Sequence, residues 1–383
     1  MTDGHTISEA DVESILARLR GPVHPEPHNA RTISALTANP GCARRAVMDA
    51  AGVNKQHVAA AAGYPARFGQ SQFAIVRGNA FEAQVKANGC AELLRLLRET
   101  LKLDIAEVAY TNLDDVGGET KREVRHAHTR HNIERAAEAG DDATTLFDHP
   151  LLRIKVGGRA AFLEPDLVTF QVAGRFHVVE IKSFPVIDGQ ADGGKVAAAV
   201  TQAAVYVIAL RELLEELGHD PSTVADEVVL VCPENFANRP TAVLVDIRKQ
   251  LTVLRRQLSR MARIETLLAT LPRGLTFDLV PNRDGTPTRP ASEIVAAIEA
   301  IPWRYAPECL DTCELAYFCR EASRGDTAAL GRDVRDELGG IESVAAVLDL
   351  AAGRTSPGDD QAEAADLLRT AARIRLECLR GAA

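Results

Sequence analysis

Phe176-His177-Val178-Val179-Glu180-Ile181-Lys182 is rich in β-branched and aromatic residues, with an acid and an ammonium gathered at its C-terminal end. Successive side chains of a strand leave opposite faces, so Glu180 and Lys182 leave the same one. Upstream, Leu167-Val168-Thr169-Phe170 reads as the preceding strand. A hairpin turning about Val172-Ala173-Gly174 places Asp166 opposite Glu180, both lying equally far from Ala173. Two carboxylates and a lysine thus converge at one end of a hairpin.

Such a convergence has a chemical use. Asp166, Glu180 and the backbone carbonyl of Ile181 offer hard oxygen donors to magnesium or manganese, ions that keep exchangeable water for phosphate. A bound ion polarises a phosphodiester and acidifies a water, while Lys182 orients that water or offsets charge on the phosphate. The reaction expected is phosphodiester hydrolysis. An isolated E-x-K triplet is more often a solvated pair on an edge strand, with an aspartate such as Asp166 capping a turn. The segment C-terminal to the strand separates the two readings. After Gly193-Gly194 comes the alanine-rich run 195–210, a good helix former, with Gln202 and Tyr206 four residues apart on one face.

Asp166 (in Glu164-Pro165-Asp166-Leu167-Val168), Glu180, Lys182, Gln202 and Tyr206 together resemble the signature of the RecB-like branch of the PD-(D/E)XK nucleases: an aspartate, an E-x-K strand and a Q-x-x-x-Y helix. The resemblance implies an α/β fold whose restriction-endonuclease-like core is a mixed β-sheet flanked by helices. Catalytic roles are implied for Asp166, Glu180, Lys182, Gln202 and Tyr206, with DNA, single-stranded or at its ends, as substrate. In that family an earlier helix supplies a further acid or histidine. Arg77-Gly78-Asn79-Ala80-Phe81-Glu82 resembles that element, which makes Glu82 a candidate auxiliary acid or metal ligand, or else a surface glutamate. Members process DNA ends in repair, recombination and defence against foreign DNA, some beside other subunits. A non-catalytic DNA-binding or scaffold subunit on the same fold is the alternative.

The chain has seven cysteines. Met1 to Glu9 is polar and unlike a secretory signal, so structural disulfides are not expected. Cys309, Cys313 and Cys319 form a C-x3-C-x5-C array suited to a metal, and such a site needs a fourth ligand. Cys42, in Asn39-Pro40-Gly41-Cys42-Ala43-Arg44-Arg45, fits by resemblance. AddB-type and CRISPR-associated RecB-like nucleases hold a [4Fe-4S] cluster on one N-terminal cysteine, often followed by basic residues, and three C-terminal ones. Their usual C-terminal spacing is C-x2-C-x5-C, one residue shorter than here. Thiolates also suit zinc, which stays open as the competitor. Cys90, Cys232 and Cys378 read as small buried hydrophobes.

The formal net charge of −9 is not the footprint of a protein that coats nucleic acid, so DNA contact has to be local. The run 121–135 is the candidate phosphate grip, or else a solvated basic helix. The stretch 248–263 is also basic, but Leu251, Leu254 and Leu258 recur at helical spacing. No apolar run approaches the length of a membrane span, and the expectation is a cytoplasmic protein without membrane contact. The chain divides into five stretches: a polar segment 1–30 with a Pro-rich linker at 21–27, a helical region 31–142 with Cys42, the α/β core 143–250, a helical region 251–325 with the cysteine array, and a helical tail 326–383. Strands are expected at 228–232 and 242–246, and a long helix over 73–103. The iron–sulfur cluster would join the N-terminal and C-terminal regions. Leu338-Gly339-Gly340-Ile341 has a faint helix-hairpin-helix look, but Glu342 stands where that motif has a glycine, which favours a packing role. No internal repeat or P-loop is present.

Overall fold

The central strand forms where its composition places it, and the rest of the sheet is built around it. In the computed structural model the residues described are 8–66, 72–102, 108–113, 122–140, 145–157, 159–165, 169–172, 174–235, 237–259, 261, 263–281 and 288–381. Asp166 therefore lies outside the described residues, as do Leu167, Val168 and Ala173. The strands are β1 (Ala109–Asn112), β2 (Thr145–Asp148), β3 (Leu152–Val156), β4 (Arg159–Leu163), β5 (Thr169–Val172), β6 (Arg175–Ile181), β7 (Val224–Pro233) and β8 (Pro240–Asp246). The helices are α1 (Glu9–Arg20), α2 (Ala30–Ala38), α3 (Ala43–Ala51), α4 (Lys55–Ala61), α5 (Gln72–Leu101), α6 (Arg122–Ala139), α7 (Gly193–Glu216), α8 (Arg248–Ser259), α9 (Ile264–Ala269), α10 (Ala291–Glu299), α11 (Cys309–Thr312), α12 (Ala316–Ala322), α13 (Arg332–Glu337), α14 (Val344–Ala351) and α15 (Ala362–Gly381). The chain is mixed α/β and divides into two compact units. The first has the bounds Met1–Val12, His24–Pro40 and Gly69–Thr270, the second Glu13–Val23, Gly41–Phe68 and Leu271–Ala383. The expected region 31–142 is thus shared between units, because 41–68 packs with the C-terminal part of the chain.

In the first unit a six-stranded sheet has the order β1-β2-β5-β6-β7-β8. The pairs β1/β2 and β6/β7 are parallel, and the other neighbours antiparallel. Strands β1, β2, β6 and β7 therefore run one way, and Asn112, Asp148, Ile181 and Pro233 end at the same edge. In open α/β sheets that carboxyl edge is where ligands are met. Strand β6 is buried from Phe176 to Ile181, consistent with cover on both faces. Helix α7, capped by Asp192 accepting from the Lys195 amide at 2.9 Å, lies on the sheet: Ala199 packs with Leu230 and Cys232 of β7. Glu180 is paired with Leu230, so α7 covers the face that Glu180 and Lys182 leave. A separate antiparallel pair, β3/β4, also packs on α7.

Several expectations need correction. The β5/β6 register sets Thr169 opposite Val178 and Val172 opposite Arg175, a two-residue turn with Gly174 at φ 68°. The hairpin centred on Ala173 would have set Thr169 opposite His177, so the observed register differs by one residue. Helix α5 is not continuous: Ala87 is extended, and Asn88, Gly89 and Cys90 have positive φ. Asn-Gly tolerates that conformation and breaks the periodic run. Helix α7 is long and apolar enough, by length and composition, to cross a membrane, contrary to the reading of the sequence, yet 61% of its most apolar window is buried in the fold. In the basic helix α6 one face is buried, through His126, Thr129, Ile133 and Ala136, while Arg122, His128, His131 and Arg135 are exposed, so the expected solvated basic helix holds on its outer face; Arg125 pairs with Glu164 at 2.8 Å. In α8 the amphipathic reading holds, with Leu251 and Leu254 buried.

The second unit draws together three separated stretches by backbone bonds: the Phe277 amide to the Leu19 carbonyl at 2.7 Å, and the Arg44 amide to the Pro302 carbonyl at 2.8 Å. Arg20 Nη1 also donates to the Ala51 carbonyl at 2.9 Å. At Gly21, with φ 77°, a Cβ would lie 2.7 Å from Asp278, so close approach and backbone conformation both require glycine. In the tail, Ile341, Val347, Leu350 and Ala365 form a small core between α14 and α15, and Glu342 pairs with Arg335 at 3.0 Å, in keeping with a packing role.

Candidate functional site

Three groups of side chains stand out, two in the first unit and one in the second. In the first unit Glu180 sits at the C-terminal end of β6, 2% exposed, with Lys182 Nζ 2.5 Å from its Oε1. The Lys182 amide continues the ladder by donating to the Val231 carbonyl at 2.9 Å, which holds the residue in strand geometry and keeps both side chains on one face. Both charges bear on Cys232, whose thiol burial pushes up to about 12, Lys182 opposing and Glu180 assisting. On α7, over the same face, Gln202 Nε2 donates to the Tyr206 hydroxyl at 3.2 Å, and Tyr206 is buried.

Glu82 belongs to a second group of side chains. Lys86 Nζ lies 2.5 Å from Glu82 Oε1 and 2.7 Å from Asp148 Oδ1. Asp148 also meets His149 Nδ1 at 2.9 Å and accepts from the Tyr110 hydroxyl at 2.7 Å. Burial raises the Asp148 carboxyl, but bonds from His149, Lys86 and Tyr110 outweigh it and hold the group well below the usual carboxylate range. His149 is raised in turn, first by its bond to Asp148. Followed through β5, the register puts Phe147 on the face of Val178 and Glu180, so Asp148 leaves the other face at the same carboxyl edge. The sequence reading missed Lys86, Tyr110, Asp148 and His149. Only the Glu82–Lys86 spacing along one helix was a usable signal.

In the second unit all four cysteines of the expected set are buried: Cys42 at the N-cap of α3, Cys309 opening α11, Cys313 just after it, and Cys319 within α12. Burial pushes the Cys319 thiol up to about 11; Arg44 opposes this, while Cys42 and Cys309 add to it. Cysteines far apart in sequence therefore share one neighbourhood. Burial also pushes Cys313 up to about 12, against the opposing charge of Arg45. Arg45 and Lys55 both pair with Asp49, at 3.1 and 2.5 Å, and Arg45 Nη1 donates to the Thr312 carbonyl at 2.6 Å. Among the described residues no three His, Cys, Asp or Glu side chains are gathered closely enough to grip an ion. Four thiols are the donor set a metal–thiolate centre would use, and beside Cys319 stands Arg44, a buried cation whose Nε and Nη2 have no hydrogen-bond partner. Cys90 and Cys232 are buried as expected, whereas Cys378 is exposed on α15, so its reading as a buried hydrophobe is corrected. In comparison with known proteins the chain matches no protein-family model, and neither a curated protein nor a solved structure gives a match.

Proposed function

We propose that the protein is a metal-dependent DNA nuclease of the RecB-like PD-(D/E)XK type, with a restriction-endonuclease-like core and an iron–sulfur cluster on Cys42, Cys309, Cys313 and Cys319. The observation that carries the proposal is the Glu180–Lys182 pair: a buried carboxylate and an ammonium 2.5 Å apart at the carboxyl edge of the central strand, under a helix bearing Gln202 and Tyr206. A structural ion pair would not need that position. An edge-strand pair would be solvated, whereas Glu180 is 2% exposed.

In this reading Glu180, the Ile181 carbonyl and Asp166 would hold magnesium or manganese, oxygen donors being what either ion prefers. When bound, the ion supplies Lewis acidity to the phosphodiester and an activated water. Lys182 donates hydrogen bonds that orient the attacking water, and its charge offsets the phosphate. Gln202 and Tyr206 contact the DNA strand or brace Lys182. Glu82, the auxiliary acid of this reading, is held by Lys86 in the group with Asp148 and would leave that pair to reach the ion. The substrate is DNA, as single strands or ends.

End-labelled single-stranded and duplex DNA, incubated with anaerobically purified protein in manganese, magnesium or chelator, tests the reading. Metal-dependent cleavage that Lys182→Ala abolishes is expected. Binding without cleavage in every metal, or cleavage that Lys182→Ala leaves intact, would sink it.

A further inference from the structure

Arg44 is 1% exposed, a rare state for a guanidinium. Its Nη1 lies 3.1 Å from Cys319 Sγ, and its Nε and Nη2 have no hydrogen-bond partner. The guanidinium carbon stands 5.1 Å from the Trp303 ring centroid and 5.6 Å from that of Phe318, so aromatic faces fix it and exclude water. Its neighbours are treated differently. Arg45 and Lys55 share Asp49, and Lys55 also approaches Glu314 at 3.8 Å. No carboxylate among the described residues pairs with Arg44. A buried cation without a counter-ion remains costly even after relaxation. Neutral thiols do not offset it. Four thiolates around a metal core would carry the missing negative charge.

We infer that Arg44 is the counter-charge and N–H···S donor of a redox-active cluster held by Cys42, Cys309, Cys313 and Cys319, and that it raises the cluster's reduction potential. The inference rests on the proposed cluster assignment. One-electron reduction adds a negative charge to the centre, and a fixed cation with a hydrogen bond to a ligating sulfur favours that state. Arg44 acts through Cys319 and is a positioning residue. Lysine keeps the charge but neither the planar fork nor the stacking, and glutamine keeps donors without charge.

The test uses the full chain, purified anaerobically, as wild type, Arg44→Lys and Arg44→Gln. Iron and acid-labile sulfide are measured first, then the midpoint potential by electron paramagnetic resonance with dithionite as the one-electron reductant. The expected result is iron in all three and lower potentials in both variants. In Arg44→Gln the reduced-to-oxidised ratio at fixed ambient potential should fall about tenfold, which for one electron is about 59 mV. Loaded variants with the wild-type midpoint would overturn the inference. Wild type labelled with nitrogen-15 arginine provides a reading that needs no variant: the reduced cluster should show a guanidinium nitrogen coupling, and its absence overturns the proposal even if the variants fail to fold. A colourless wild type with stoichiometric zinc would instead remove the cluster reading itself, an outcome distinct from a cluster indifferent to Arg44.

Discussion

Lys86 joins two carboxylates at the carboxyl edge of the first unit's sheet, and the consequences can be counted. Asp148 and Lys86 are both nearly enclosed, so Lys86→Met takes the ammonium from Asp148, leaves that carboxylate to His149 and Tyr110, and should destabilise the protein by about 3 kcal/mol, read from urea midpoints. Adding Asp148→Asn should restore part of the loss, because a neutral amide needs no cation. His177 gives a pH signature. Burial, followed by Arg175, pushes its imidazole down to about 4, whereas an unfolded histidine titrates near 6.5. Between those values the unfolded chain binds the proton and the folded chain does not, so this contribution to stability is present above 6.5 and is lost as pH falls toward 4. The expected loss between pH 7.5 and 5 is about 2 kcal/mol. His177→Gln should flatten that slope. If the stability of the His177→Gln variant keeps the wild-type pH dependence, another group is responsible.

At the scale of elements, strand β6 and helix α7 were legible because each is a long apolar run with its own period and punctuation. Asp192 caps α7 through the Lys195 amide, and Asp192→Ala should cost about 1 kcal/mol in thermal unfolding. Strands β1 and β2, four residues each, and the β3/β4 pair carried no comparable signal. The hairpin register slipped by one because a two-residue and a three-residue turn differ only in backbone angles that Val172-Ala173-Gly174 leaves open. The break in α5 was written in Asn88-Gly89, but the hydrophobic period on either side overrode it. Of the candidate site, Glu180, Lys182, Gln202 and Tyr206 were legible from local spacing. Asp148 and His149 were not, since Lys86 and Tyr110 reach them only through tertiary packing.

At the scale of the whole molecule, the cysteine neighbourhood belongs to one unit assembled from 13–23, 41–68 and the stretch from 271 onward. Under the cluster reading, Cys42→Ser should lower bound iron and make the Arg44 environment labile. Protease digestion coupled to mass spectrometry should then show earlier cuts in both 41–68 and 300–325 than in wild type, while the β6–β7 segment keeps its resistance. Equal protection in both proteins would mean that the segments hold together without any metal.

The discontinuity also sets a calendar for synthesis. Residues 41–68 emerge from the ribosome long before their partners after 271, while every stretch of the sheet-bearing unit is already complete at residue 270. Its neighbours in space are thus late arrivals. Helix α3, with Arg44, Arg45 and Met48 all buried in the finished fold, has to wait through some two hundred residues of translation, about ten to forty seconds at ordinary elongation rates. During that interval the segment is a client for chaperones, and Cys42 is a thiol with none of its eventual companions.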